Sequence, residues 1–508
     1  MNHPDHLAQL KKEAKQHGKH DAVVWLRLAW AYANSYDRAK TKAATQQAIK
    51  VAKRVNLATV WMEVGRIQQS MDASNEALHA YTKATELSKG DPEAVLALSS
   101  YYEKLNQLDE SQRWLDQLSE EVKQRPTVAL QQAILSRRLK EPDKAAAIMK
   151  DLCSDKKGKL PRELLINSWH EYYRTLDALE DYPAAYQALC RSKELNQEGT
   201  GKAKVKNMRD RKREGLRRII SVLEKLTPSQ IEEWRVSLSS NEIRQPSFLL
   251  GHPRSGTTLL ENIIDSHSLI HSSDERPTFQ TEIINPILSG FRPPKDDDEA
   301  SLAFLDHLDD LPPSKISRFQ KIYWQQIEAH IGQSLKDITL LDKNPAITDA
   351  IPIILRIFPE AKFIFALRDP RAVVWSSFTL PMMGTSFIGS FWFDLDSAAE
   401  AYTHLINTWF AAREKLPDSQ KIEIRYEDTL EDTVQQGRKA IEFLGLEWEE
   451  QQEKFYEHAQ DKVVRSPTYA DVAQPIYTRA KEHWRNYAEF MGDAEKRLEP
   501  VLKRLGYE

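Results

Sequence analysis

"FLLGHPRSGTTLLENIIDSH", Phe248 to His267, decides how the second half of this 508-residue chain is read. The apolar run Phe248–Leu250 ends in a glycine, and apolar residues then recur at helical spacing from Thr257 onward: strand, tight loop, helix. Gly251 and Gly256 have the spacing of a phosphate-binding loop, yet the lysine such a loop carries is replaced by Thr257, followed by Thr258. The backbone N–H groups of Ser255, Gly256, Thr257 and Thr258 ring an anion in this geometry, and the following helix adds its N-terminal partial charge. Arg254 supplies a full positive charge on one flank.

Working outward, "AKFIFALRDPRAVVWSSF" (Ala361–Phe378) repeats the pattern, with a strand at Lys362–Leu367 and a helix opening near Pro370. "KIEIRYEDTL" (Lys421–Leu430) reads as a third strand. Strands alternating with long helices imply a parallel sheet wrapped by helices. The first half is different. Small residues recur every 34 positions at Ala31, Gly65, Ser99 and Ala133, and a second series, twelve residues later, runs through Ala43, Ala77, Ser111 and Ala145. A fifth hairpin, Leu164–Leu195, fits if about five residues near "DKKGK" are inserted, which puts Ala184 in the role of Ala145. A helical hairpin is too small to bury its own apolar face, so neighbours stack, and small residues at fixed positions hold the crossing distance constant. The segment around "WMEVGRIQQSMDASNEALHAYTKATELSKGDP" (Trp61–Pro92) resembles the tetratricopeptide repeat.

The fold expected is an α-solenoid of such repeats over residues 1–198, a basic helical linker over 199–244, and an α/β P-loop-like domain with a parallel sheet over 245–508. The basic residues of "GTGKAKVKNMRDRKREGLRRI" read as a solvated linker helix, and the acidic Phe291–Lys315 segment as a solvated excursion or a lid. A net charge of −4 and a pI of about 6.4 give no global field for nucleic acid. Two cysteines make no disulfide framework, and neither they nor the histidines have metal-ligand spacing. With no signal-like N-terminus or long apolar run, the expectation is a cytoplasmic protein that does not enter membranes.

"PRSGTTLL" followed about 110 residues later by "ALRDPRAVVWSSF" resembles the sulfotransferases that use PAPS, 3′-phosphoadenosine 5′-phosphosulfate. The resemblance covers about Gln245 to Tyr507. It implies that Arg254, Ser255, Gly256, Thr257 and Thr258 hold the 5′-phosphosulfate, and that Arg368 and Ser376 hold the 3′-phosphate. The missing lysine fits this chemistry, because a sulfuryl group carries one negative charge where a transferred phosphoryl carries two, and the need for a divalent metal falls away. Within the family the chain is similar to bacterial members with fused tetratricopeptide repeats and to the tyrosylprotein sulfotransferases.

That similarity implies Glu275 as the base that takes the acceptor's proton, since it stands 21 residues after Arg254 as in the tyrosylprotein enzymes. Asp274 is its main rival, and His267 and His271 rank behind. It also implies Lys343, in "LLDKNP", as the cation that stabilises the leaving phosphate; the structural alternative is an ion pair with Asp342 or Glu360. Tyr426 corresponds to the family's tyrosine near the adenine. In the C-terminal segment Thr468 aligns best with the family serine, and His483 stands where a lysine is expected, leaving Arg479, Lys481 or Arg485 to supply the charge. The function so implied is sulfuryl transfer to a hydroxyl, with protein tyrosine as the leading acceptor and a glycan or small molecule as the alternative. The repeats imply a protein or peptide partner in their groove, with a homodimer as a further possibility. A P-loop kinase or NTPase, or an inactive repeat scaffold, are the readings from other classes.

Overall fold

The computed structural model describes residues 4–507 apart from 35–36, 54–56, 72, 156–157, 239–243, 382–388 and 458–478. The chain divides into two compact units, Met1–Ser192 and Lys193–Glu508.

The first unit consists of helical hairpins: Ala22–Ala33 with Arg38–Val51, Leu57–Ser70 with Ser74–Leu87, Pro92–Lys104 with Leu108–Asp116, and Pro126–Arg138 with Pro142–Ser154. Arg162–Ala178 and Tyr182–Thr200 follow. The small-residue series occupies the crossings. A Cβ on Gly65 would meet the Tyr81 ring at 2.7 Å, and Ser99 and Ser111 lie hydroxyl to hydroxyl at 2.9 Å. Two register details differ from the expectation. In the first hairpin Ala43 is exposed and Ala44 is the buried residue. In the fifth, Ala185 rather than Ala184 is fully buried. Left-handed turn residues confirm that count: Asn106, Lys140 and Glu180 each lie five residues before the buried Ser111, Ala145 and Ala185, so the insertion is six residues long.

In the second unit, helix α1 (Lys202–Lys225) buries Val205, Leu216, Val222 and Leu223. Strand β1 (Ser247–Gly251) leads through the loop into α2 (Thr257–Asp265), and β2 (Ile270–Ser272) follows. Helix α3 (Asp297–Asp309) precedes β3 (Thr339–Lys343) and β4 (Lys362–Leu367). Next come α4 (Pro370–Phe378), α5 (Leu395–Arg413) and β5 (Lys421–Arg425). All pairings are parallel, in the order β2-β3-β1-β4-β5. Both faces of the sheet are covered, so β1 is buried at every residue, as a central parallel strand should be. Leu249, Leu341, Ile364 and Ile424 pack with Leu260 and Ile264 of α2 on one face, while Phe248, Phe363 and Phe279 meet on the other. Each such side chain contributes about 1.5–3 kcal/mol of burial. The strand expected to run to Leu430 ends at Arg425, where a short helix, Tyr426–Glu431, begins.

The basic segment is not a solvated linker. Its helix α1 belongs to the second unit, where Arg209 pairs with Asp394, Lys212 with Asp349 and Arg213 with Glu400, the last at 2.6 Å. Nor is the acidic segment a solvated excursion. Helix α3 buries Phe304, Leu305 and Leu308, and its C-terminal carbonyls take hydrogen bonds from Arg356. The two segments pair with each other, Arg218 to Asp297 at 2.9 Å and Lys225 to Asp298 at 2.7 Å. Partly exposed pairs of this kind stabilise by about 0–1 kcal/mol each, so the apolar stripes drive the docking and the charges set its register. Among the described residues no helix is long and apolar enough to cross a membrane.

Candidate active site

The central strand β1 has β3 on one side and β4 on the other, so the crossovers leave its C-terminal end in opposite directions. In open α/β sheets that switch point is where ligands bind. The loop after β1 is shaped for close approach. Gly256 has φ +91°, and a Cβ there would come within 2.4 Å of the Tyr426 ring. Arg254 also sits in the left-handed region at φ +78°. The Ser255 N–H closes the turn on the His252 carbonyl at 3.0 Å, and the buried Ser255 Oγ has no hydrogen-bond partner among the described residues. Thr257 and Thr258 open α2, whose first N–H groups are the orphan donors of any helix start.

The second motif converges on the same place. Arg254 Nε donates to Ser376 Oγ at 2.8 Å, and Arg368 Nη1 donates to the Arg254 carbonyl at 3.0 Å. The Arg368 guanidinium lies over the Tyr426 ring at 4.6 Å. Arg368 comes from the end of β4 and Ser376 from α4, whose start is capped by Asp369. Burial lowers the basicity of Arg368 despite the nearby Tyr426, Glu427 and Asp369.

On the other side of β1, Lys343 ends β3 and is 2 % exposed. Its Nζ lies 2.5 Å from Glu275 and 2.9 Å from Glu261 of α2. The structural alternatives for Lys343 do not hold: Asp342 accepts from Ser273 and Tyr323, each at 2.7 Å, and Glu360 pairs with Arg235. Burial pulls the Lys343 ammonium down, but the two carboxylates outweigh it and its pKa stands above the ordinary value. Burial pushes the Glu261 carboxyl up to about 7, with Asp274 adding to the rise and Lys343 working against it. Asp274 and Glu275 are consecutive non-glycine residues at φ +52° and +57°, held there by the Glu275 N–H bond to the Lys343 carbonyl at 3.0 Å. Such backbone strain clusters at functional sites.

The histidines divide. His267 is structural: its Nδ1 accepts from Leu269 N–H at 3.0 Å, and its Nε2 therefore donates to the Glu447 carbonyl at 2.9 Å. His271 is a half-buried member of β2. His252, which sequence reasoning passed over, is buried inside the loop against Tyr402, and burial lowers its pKa to about 4. Glu261 was also passed over. Its signal was present: Thr257, Glu261 and Asp265 recur at i, i+4 spacing along the helix, and Ser272 hydrogen-bonds to both Glu261 and Asp265. Thr468 lies outside the described residues. Of the C-terminal basic candidates, Lys481 pairs with Glu431 at 2.9 Å and Arg485 with Glu482 at 3.6 Å, while the His483 ring lies against Tyr487. Among the described residues no group of three or more His, Cys, Asp or Glu is arranged to hold a metal ion.

Residues 246–450, which contain the loop, Glu275, Lys343 and Arg368, match the model of the Sulfotransferase family. The chain carries a sulfotransferase-family domain. Residues 70–135 match a tetratricopeptide repeat model, so the sulfotransferase domain is preceded by repeats. An uncharacterized protein of Aquifex aeolicus is 26% identical over 353 residues, which are 68% of this chain and 43% of that protein. The protein-tyrosine sulfotransferase of Drosophila melanogaster is 25% identical over 276 residues, 51% of each chain. The matches thus span about half the length of these two relatives. Among solved structures, the sulfotransferase domain of the Synechococcus PCC 7002 olefin synthase aligns with a TM-score of 0.35 at 20% identity, covering 48% of this chain and 90% of that one.

Proposed function

We propose that this chain transfers a sulfuryl group from PAPS to a hydroxyl, releasing PAP, and that the hydroxyl is a tyrosine phenol of a protein. The observation that carries the reading is the Lys343–Glu275 pair at 2.5 Å beside a phosphate loop whose own lysine is missing. The loop's N–H groups and the Ser255 hydroxyl fit the 5′-phosphosulfate, and Arg368 with Ser376 fits the 3′-phosphate. In the transfer step the acceptor oxygen forms a bond to sulfur while the bond from sulfur to the 5′-phosphate oxygen breaks. Glu275 takes the acceptor's proton, and Arg254 and Lys343 offset the charge that grows on the departing phosphate. No divalent metal enters this scheme.

Similarity to a protein-tyrosine sulfotransferase supports tyrosine as the acceptor, and the repeats supply a surface of the kind that binds peptides. A glycan or small-molecule hydroxyl is the alternative acceptor. Calorimetry with PAP against ATP plus magnesium tests the donor: PAP binding without metal is expected, and tighter metal-dependent ATP binding overturns the reading in favour of a kinase or NTPase. Transfer of label from radiolabelled PAPS to tyrosine peptides, glycans and phenols then ranks the acceptors.

A further inference from the structure

Lys343 is shared between two carboxylates that differ in freedom. Glu261 is 2 % exposed, and both its oxygens are engaged, one by Lys343 and the other by the Ser272 hydroxyl. Glu275 is 41 % exposed and sits on a strained turn at the mouth of the site. A general base must leave its ion pair to meet the acceptor, and a lysine buried this deeply is costly to leave uncompensated. We propose that Glu261 is a positioning residue for sulfuryl transfer: it holds the Lys343 ammonium against α2, so that Glu275 can turn to the acceptor's proton while Lys343 stays charged and aimed at the leaving phosphate. This rests on the reading of the site given above.

The charged groups facing this pair are Glu261 and Asp265 from α2, Asp274 and Glu275 from the turn after β2, and Asp342 and Lys343 from β3. Asp265 and Asp342 are committed to Ser272 and to Ser273 with Tyr323, and Asp274 acts on Glu261 rather than on Lys343, whose ion-pair partners are Glu261 and Glu275; Glu261 is therefore the carboxylate left to hold Lys343 when Glu275 departs. Replacing Glu261 by Gln leaves Lys343 with one anion. Lys343, buried with one anion in place of two, then loses its proton at lower pH, and Glu275 is tied to it as its only counter-charge. The alkaline limb of the pH profile therefore moves to lower pH.

The test uses the full chain and radiolabelled PAPS, with transfer to a tyrosine-containing peptide and release to water followed from about pH 5 to 10. Glu261→Gln is expected to lower kcat roughly 10–100-fold, keep the KM for PAPS within about two-fold, and move the alkaline limb of the profile to lower pH. A loss that merely follows the folded fraction, with the profile unmoved, overturns the inference. In a Lys343→Met background, Glu261→Gln is expected to add no further loss, because Glu261 acts through the lysine; an additive loss overturns it. That double variant removes both buried charges and so keeps the test decisive if Glu261→Gln alone fails to fold. PAP calorimetry separates the two levels: a native chain that binds PAP while Glu261→Gln turns over normally sinks this inference alone. A native chain that binds neither PAP nor PAPS sinks the reading of the site and the inference with it.

Discussion

Lys343 and Arg368 are both buried cations at strand ends flanking β1, yet they are settled in opposite ways. At Lys343 two carboxylates outweigh the cost of burial and strengthen the charge; at Arg368 burial outweighs the neighbouring acids and weakens it. The lysine is therefore supported by the protein itself, while the arginine, held by a carbonyl and an aromatic ring, gains more from an incoming anion. On the proposed reading, the lysine side acts on a proton and a leaving group, and the arginine side binds.

The largest effect expected on the lysine side comes from Glu275→Gln, which keeps the shape of the site. Turnover should fall by roughly 10²–10⁴-fold, with PAPS binding nearly unchanged, if this carboxylate is the base. Asp274→Asn is the control one residue away; if it abolishes turnover and Glu275→Gln does not, the roles of the two acids are exchanged.

Lys343→Met should lower stability above neutral pH by up to about 3–5 kcal/mol, as expected when one partner of a buried pair is removed. The sign of its pH dependence is specific. Glu261 already titrates at about 7 in the folded chain, above the unfolded value, so folding favours its protonated form. Without Lys343 that preference grows. The variant's added deficit should be greatest above neutrality and be lost as the pH falls through about 7, below which Glu261 is protonated in the folded chain with or without the lysine. Thermal melts across pH check this, and a deficit that is flat with pH would show that Glu261 does not depend on the lysine.

On the arginine side, Arg368→Ala should weaken PAP binding by about 2–4 kcal/mol while barely affecting the 3′-dephospho nucleotide. Equal losses for both ligands would remove the 3′-phosphate from Arg368 and erase the contrast with Lys343.

The smallest effect concerns a pair far from the chemistry. Burial alone would raise the Glu400 carboxyl, but hydrogen bonds from His404 and Arg213 bring it down to about 2. Its stabilisation is present above the unfolded carboxyl pKa and is lost as pH falls through about 2. Glu400→Gln should therefore cost about 1 kcal/mol near neutrality, given the pair's partial exposure, and nothing at strongly acid pH. Denaturant unfolding at two pH values measures it.

The loop and the arginine motif were legible because each is a local pattern, a turn that demands glycines and a strand end followed by a capped helix; Glu275 and Lys343 were singled out separately through the family resemblance, and that they pair was not legible. Nor was Glu261, because a single acid within "TTLLENIID" becomes informative only when β3 delivers Lys343 beside it. The segments 202–225 and 297–309 were misread for a related reason. Each carries a charge run that looks solvated alone, and each run is neutralised by residues distant in sequence, as Arg218 and Asp297 show.

By itself the sequence determined the repeat period, the strand–loop–helix units and the residue types of the site, since backbone periodicity and turn chemistry act over a few residues. The tertiary structure decided the order β2-β3-β1-β4-β5 and, through it, which charges meet. Pairing free energies depend on distance and burial, and neither is defined until the sheet has placed β3 and β4 on either side of β1.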